Sequence, residues 1–339
     1  MSAAMSNPFS MSVVLVNWNS REDTLRCLRS LAEQTDPNFD TLVVDNGSVD
    51  GSAQAIRREF PSVRVLETGE NLGFAEGCNR GIDASSNAWV ATLNNDTVAD
   101  KHWIAELRRA ARAGDEHLGM LQSQVVFLGD EAHLNSTGVL LYLDGGACDR
   151  DVYAATREGD REEEVFCATA GAALYRRAML DEVRLASGIF DRTFFMYFED
   201  VDLGWRCRLA GWSARYVPTA RVGHAFQASS KRQPGRFVGT HLRRNRLRML
   251  LKNGSVSFLA KTFPKTLYDA CELVVWEGPS AVLEIAKAAL DGASQRHEVA
   301  RRTATTPSAR TAVEARWAVA SPTPLHREVV LQLRKLIRL

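Results

Sequence analysis

The chain lacks most of the features that would settle its class at a glance. Its six cysteines, at 27, 78, 148, 167, 207 and 271, form no CxxC pair, which argues against a zinc or dithiol redox motif. Several lie within apolar patterns, where they behave as small hydrophobes, as suits a reducing compartment. No run of about 18 apolar residues occurs, so no spanning helix is expected. Residues 1–10 have neither a basic n-region nor an apolar h-region, and no secretory signal is expected. Net charge is only +1, so global charge selects no partner. There is no internal repeat. What is there is an ordinary globular composition, 45% hydrophobic and 24% charged over 339 residues. That is enough for one large domain or two smaller ones.

The N-terminal third alternates strand and helix patterns. Ser12 to Trp18 is a short β-branched run that reads as a buried strand, and Ser20 is placed to cap a helix carrying Leu25, Leu28 and Leu31. Strands are expected at Phe39–Asp45, Val63–Leu66 and Ala88–Leu93, and helices at Asp50–Phe60, Gly73–Ala84 and Asp100–Ala113. This alternation predicts an α/β fold with a mostly parallel sheet flanked by helices. Ligands of such sheets bind at the carboxyl ends of the strands. Asn17, Asp45 and Asp96 sit at or just after three such ends.

Beyond residue 118 the pattern changes. Gly119–Leu128, Leu134–Leu143 and Ala168–Tyr175 read as strands, and Glu158–Glu164 as a solvated acidic loop or helix end. A helix over Glu199–Ala210 precedes short strands at Ser213–Val217 and Arg221–Phe226. The expected layout is an α/β domain over 10–230, divided near 115 into two halves. A basic amphipathic helical region over 231–299 follows, then a mobile linker over 300–324, rich in Ala, Thr, Ser and Pro, and a C-terminal amphipathic helix over 325–339.

Several residues carry chemistry. Asp45, in Val44-Asp45-Asn46-Gly47-Ser48, could accept from the N3–H of uracil or thymine, or could simply organise an Asx turn. Glycines 73, 77 and 81 recur once per helical turn, a spacing that suits close helix–sheet packing. Asn79 shares that face and must find a partner if buried. In Leu93-Asn94-Asn95-Asp96, Asp96 is the candidate ligand for a hard cation, Mg2+ or Mn2+, and the asparagines can hydrogen-bond a ribose. The alternative for Asp96 is a helix-capping turn. Glu199, Asp200 and Asp202 open a helix. The dipole favours them there, and Asp202 can pair with Arg206 one turn on. Asp200 is rotated about 100° from Glu199 and can face a cleft. His224 is either a satisfied structural residue or a ligand that would favour manganese.

Taken in order, Val16-Asn17-Trp18-Asn19, Val44-Asp45-Asn46-Gly47-Ser48, Asn71-Leu72-Gly73-Phe74, Leu93-Asn94-Asn95-Asp96 and Phe198-Glu199-Asp200-Val201-Asp202 resemble family 2 glycosyltransferases, and within them the bacterial rhamnosyltransferase-like members. The resemblance covers about residues 10–250. It implies a GT-A catalytic domain over 10–230, its nucleotide-sugar half about 10–115 and its acceptor half about 116–230, and an inverting, metal-dependent transfer from a nucleoside diphosphate sugar. On it, Asn17, Asn19, Asp45, Gly73, Asn79, Asn94 and Asn95 fall to the nucleotide sugar, Asp96 and His224 to the divalent cation or diphosphate, and Asp200 to the catalytic base with Glu199 beside it. The first two positions of the usual DxD motif are Asn94 and Asn95 here, so the first aspartate's ribose contact is lost while the metal position stands.

The expected donor is dTDP-rhamnose and the acceptor a cell-envelope or lipid-linked glycan. The alternatives are another sugar, such as galactofuranose or a hexose, from a UDP donor, or a sugar-nucleotide binding module without turnover. A dehydrogenase is set aside, because the first turn, Asn17-Trp18-Asn19-Ser20, has no GxGxxG. Lys231 to Lys252 holds eight Lys and Arg and no Asp or Glu. Arg243, Arg244 and Arg246 interleave with leucines, as in a helix meeting anionic lipid or a lipid diphosphate. No stacking platform accompanies the charge, so nucleic acid is not expected. The C-terminal helices could serve a membrane surface or a second subunit, and the expected location is the cytoplasmic face of the plasma membrane.

Overall fold

A computed structural model describes residues 7–157, 159–225 and 235–322. The first half runs β1 (Met11–Asn17), α1 (Arg21–Ala32), β2 (Phe39–Asp45), α2 (Ser52–Glu59), β3 (Arg64–Glu67), α3 (Gly73–Asp83), β4 (Trp89–Leu93), β5 (Thr97–Ala99) and α4 (Trp103–Arg112). Strands β6 (Leu118–Phe127), β7 (Asp130–Ser136), β8 (Val139–Tyr142), β9 (Ala147–Asp149), β10 (Glu163–Glu164) and β11 (Ala172–Arg176) follow. Then come α5 (Arg177–Glu182), α6 (Glu199–Leu209) and β12 (Ser213–His224). The chain closes with α7 (Gly235–Asn253), α8 (Val256–Glu277), α9 (Ser280–Arg302), α10 (Pro307–Trp317) and β13 (Ala318–Val319).

The main sheet has the order β10-β12-β6-β11-β4-β1-β2-β3. Strands β4, β1, β2 and β3 are parallel, as the alternation predicts. Beyond them β11 lies antiparallel between β4 and β6, and β12 runs parallel to β6. The apolar cores of β1, β2 and β4 are buried on both faces, as helix-covered parallel strands require. Helix α3 packs tightly on β1: a Cβ on Gly77 would strike Val16, and one on Gly81 would strike Val14. The glycine spacing is therefore a packing device.

Two expectations need correction. The described part of the mobile linker expected over 300–324, residues 300–322, is ordered as helix and strand: α9 continues to Arg302, Thr306 caps α10 with Pro307 at its first turn, and β13 pairs with β8. Its Ala, Ser and Pro content marks a helix start. Buried Glu314 accepts from the backbone N and Oγ of Ser255, and buried Arg310 donates to the carbonyls of Lys252 and Asn253. The C-terminal helix expected over 325–339 lies outside the described residues.

The second correction concerns α7. Arg243 pairs with Glu272, Arg244 with Glu284, Arg246 with Asp269 and Arg248 with Asp291. These arginines hold α7 against α8 and α9, so they do not present a lipid-binding face, and Arg246 is buried. The window 231–252 shows only their positive charge; the carboxylates that neutralise it come from helices far downstream. At the α7–α9 crossing, a Cβ on Gly292 would strike the Arg248 carbonyl.

Candidate active site

The carboxyl ends of β1, β2 and β4 meet β12, the β7–β9 segment and the start of α6 around an open cleft of about 360 Å³. Its walls include Trp18, Asn46, Asn71, Gly73, Asn94, Asn95, Asp96, Asn135, Asp149, Glu199, Asp200 and His224. Segments far apart in sequence thus converge on one crevice.

Asp96 ends the turn after β4, and His224 ends β12, which pairs with β5 in the register His224 to Thr97. That pairing brings His224 Nε2 to 3.1 Å from Asp96 Oδ1. His224 Nδ1 lies 2.8 Å from the amide oxygen of Asn135, to which a proton on Nδ1 can be donated, and Nε2 faces Asp96, to which it donates when the imidazole is doubly protonated. Burial alone would raise the Asp96 carboxyl, but the His224 hydrogen bond and charge outweigh it and hold the group below the usual range. An ionised carboxylate beside an imidazole nitrogen is a donor set for Mg2+ or, better, Mn2+. Among the described residues no group of three His, Cys, Asp or Glu surrounds one point, so further ligands must come from substrate and water. Two buried polar atoms of the cleft wall, Asn135 Nδ2 and Glu199 Oε2, have no hydrogen-bond partner among the described residues. The Asp96–His224 pair fits a cation held jointly by protein and an anionic ligand, to which Asn135 Nδ2 could donate.

Glu199 and Asp200 open α6. Asp200 is half-buried and accepts from the backbone N–H of Ala170 at 3.2 Å and of Val201 at 2.8 Å. Burial raises its carboxyl above the ordinary range, and those N–H groups only partly offset the rise. Glu199 is buried and is raised well above its ordinary range, first by burial and then by the charge of Asp200. The two carboxyls therefore ionise as a pair, with Glu199 keeping its proton to higher pH.

The loop that presents them is strained. Phe195, Tyr197 and Phe198 have φ of +65°, +69° and +68°, a region that bulky residues occupy only under constraint. The constraint comes from α7. Asn245, fully buried, directs Nδ2 at the carbonyls of Phe194, Met196 and Tyr197 at 2.8–2.9 Å, and its Oδ1 accepts from Arg248. Below it Lys252 Nζ lies 2.6 Å from Asp191 and 2.9 Å from Asp202, and Arg206 pairs with Asp202 at 3.0 Å. Asp202 is thus a structural carboxylate, as its spacing to Arg206 suggests. Gly73 serves the same loop: at φ +83°, a Cβ there would strike the Phe195 ring and carbonyl.

Other expected residues fall elsewhere. Asn17 and Asp45 are buried and bonded to each other at 3.0 Å; Asn17 Oδ1 also accepts from Thr24 and Asn95. They do not line the cleft as it stands, but they hold the turns that present Trp18 and Asn46, which do. Asn19, at φ +50°, accepts from the Val49 N–H and ties those turns together. Asn79 is corrected: buried on α3, it exchanges hydrogen bonds with the backbone N and carbonyl of Phe190 and so pins the 190 segment. Its glycine-marked face packs on protein and leaves no room for a nucleotide.

Sequence reasoning missed Asp149, Asn135, Trp18 and Asn245. Asp149 ends β9 in the cleft wall. Burial pushes its carboxyl up to about 6, with the charge of Asp200 adding to the rise and a Ser136 hydrogen bond opposing it. No motif surrounds it. Only Trp18, an aromatic in a polar strand-end turn and 40% exposed, left a readable signal.

Comparison with known proteins agrees with this geometry. Residues 12–184 match the model of glycosyl transferase family 2. The chain is 32% identical over 254 residues to N-acetylglucosaminyl-diphospho-decaprenol L-rhamnosyltransferase of Mycobacterium tuberculosis, covering 68% of this chain and 81% of that protein. It is 33% identical over 102 residues to the glycosyltransferase AglE of Haloferax volcanii, 29% of this chain and 33% of that one. Among solved structures, GalNAc-T7 with UDP, GalNAc and Mn2+ superposes with a TM-score of 0.57 at 14% identity, over 74% of this chain and 48% of that one. The fold is GT-A, and the chain belongs to glycosyl transferase family 2.

Proposed function

We propose that the protein transfers L-rhamnose from dTDP-rhamnose to a lipid-linked or cell-envelope glycan, with inversion and with a divalent cation. The carrying observation is the meeting, in one cleft, of the Asp96–His224 pair with Asp200. The choice of sugar and acceptor is supported by the mycobacterial relative, a rhamnosyltransferase acting on N-acetylglucosaminyl-diphospho-decaprenol.

Asp200 accepts the proton of the acceptor hydroxyl as that oxygen attacks the anomeric carbon. Its raised carboxyl makes it a better base than an exposed aspartate. Protonated Glu199 keeps a second negative charge out of the cleft until the base has acted. Trp18 offers a face for the nucleobase, and Asn94 and Asn95 offer amides to the ribose. Asp96 and His224 would hold the cation, which neutralises charge developing on the departing diphosphate. A single displacement by the acceptor inverts the anomeric centre.

The test incubates the purified protein with a panel of nucleoside diphosphate sugars and a GlcNAc-diphospho-lipid analogue, reading released nucleotide and product stereochemistry. Turnover is expected with dTDP-rhamnose, stopped by a chelator and restored by Mn2+ or Mg2+. Asp200→Asn should lose about 10²–10⁴-fold in kcat with little change in donor binding. A retained anomeric configuration, or near-normal kcat in that variant, would refute the assigned chemistry.

A further inference from the structure

The α8–α9 hairpin has an unusual division of charge. Every carboxylate on it has an inward partner. Asp269, Glu272, Glu284 and Asp291 pair with arginines of α7. Glu277 accepts from Thr240 and faces Arg236, and Glu298 accepts from the Ala186 N–H. Among the described residues the hairpin therefore shows no unpaired acid, Glu284 being 46% exposed at its side chain but held by Arg244. The solvent side carries Lys287 beside Leu283 and Leu290 on α9, Lys261 on the flank of α8 about 160° around the helix from Phe263, and a run of large apolar side chains left in solvent.

On α8, Val256, Phe263, Leu267 and Val275 follow at helical spacing. Across the Gly278-Pro279 turn, Val282, Leu283 and Leu290 continue the exposed apolar surface. Phe263 is 61% exposed, Leu267 52%, Val275 70% and Leu283 73%. Isolated exposed leucines are ordinary, but this many on one hairpin is a patch that needs an occupant. No helix of the described residues is long and apolar enough to cross a membrane, so the patch is not a disguised span.

The hairpin tip also lies beside the cleft. Phe195, in the cleft wall, packs against Phe237 and His241 at the start of α7. One turn away, Arg236 donates to the Trp276 carbonyl, and Thr240 donates to Glu277. The tip thus lies next to the helix start that packs on the cleft wall.

We propose that the α8–α9 hairpin rests on an anionic lipid bilayer, its apolar stripe and tip in the acyl boundary and its lysines at the headgroups. A face whose acids are paired and whose flanks carry lysine matches that partner: a second protein copy would call for neutral complementarity, whereas anionic lipid rewards apolar area and cations together. The surface deepens the proposed lipid-linked acceptor, and rests on that reading only for its purpose, since lipid contact is measurable without any sugar.

The full chain is floated with phosphatidylglycerol-containing vesicles and with phosphatidylcholine vesicles. Leu267→Glu/Leu283→Glu and Lys261→Glu/Lys287→Glu are compared with wild type, all outside the catalytic cleft. Wild type should float with the anionic vesicles, and each pair should weaken the partition by roughly tenfold or more. Turnover on a water-soluble acceptor analogue should be unchanged, which guards against misfolding. If wild type floats with neither vesicle, or if the variants float as wild type does, the inference fails. It also fails if light scattering finds a dimer that these substitutions dissociate while vesicles are ignored. Flotation with no transfer from any donor would sink the rhamnosyl reading and leave the surface standing.

Discussion

Asn245→Ala should uncouple Asp200, the proposed base, from an otherwise intact enzyme. The Asn245 amide has two hydrogens and serves three carbonyls, those of Phe194, Met196 and Tyr197. Truncation forfeits about two net hydrogen bonds at ~1 kcal/mol each and strands buried acceptors, for a total of about 2–4 kcal/mol. That is comparable to the strain of the three positive-φ residues the amide holds, at ~1–3 kcal/mol apiece. The loop should therefore relax, and Asp200, two residues beyond Phe198, should move. A shift on the order of 1 Å at a reacting group costs roughly 100-fold in rate. The expected outcome in steady-state assays is a kcat fall of about 10- to 100-fold, with donor KM within about threefold. Melting should fall by on the order of 10 °C at ~2–4 °C per kcal/mol. Asn245→Asp should be worse than Ala, because it aims a carboxylate at three carbonyls. Wild-type kcat in Asn245→Ala, or an Asp variant milder than Ala, would show that α7 does not set the base.

Other expectations follow from the same geometry. Lys252→Met leaves Asp191 buried without its cation while Asp202 keeps Arg206; it should cost about 3–5 kcal/mol in urea unfolding. Adding Asp191→Asn should recover much of that loss, and a double variant no better than the single would refute the pairing. Asn135→Leu removes the acceptor that orients His224, and should weaken Mn2+ binding about 10- to 100-fold by paramagnetic titration, with unchanged affinity as the refuting result. Asp149 has a folded pKa raised to about 6, so its protonated form favours folding, and that contribution is lost as pH rises through the folded value. Asp149→Asn should accordingly stabilise the metal-free protein by about 1–2 kcal/mol near pH 7.5, after discounting for solvent access, and by little near pH 4. Equal effects at both pH values would refute the burial argument.

Local pattern carried the nucleotide half. Strands β1, β2 and β4 are short β-branched runs, and their helices announce themselves by spacing, so their order and parallel sense are legible within windows of a dozen residues. The position of Asp96 at a strand end follows from the same periodicity. The second half was harder because its pairings are long-range. A single β12 spans two expected strands, bent between Val217 and Arg221, and β11 enters the sheet antiparallel between distant neighbours. Acidic residues 162–164, expected to be solvated, each meet an arginine from elsewhere: Arg109, Arg150 and Arg208.

The linear chain determined the family and the parallel β1–β4 frame, and it singled out Asp96, Glu199, Asp200 and His224 as candidates, which the fold gathers in one cleft; these rest on motifs at strand and helix ends readable a few residues at a time. Tertiary structure alone decided which polar residues face ligand and which face protein. It turned Asn79 and the α7 arginines inward, brought Asp149 to the cleft wall, and made α7 the support of the strained loop before α6. The reason is physical: a side chain's role depends on the charge and hydrogen bonds it meets, and here those partners often come from more than a hundred positions away in sequence, as with Asn79 and Phe190 or Asp96 and His224.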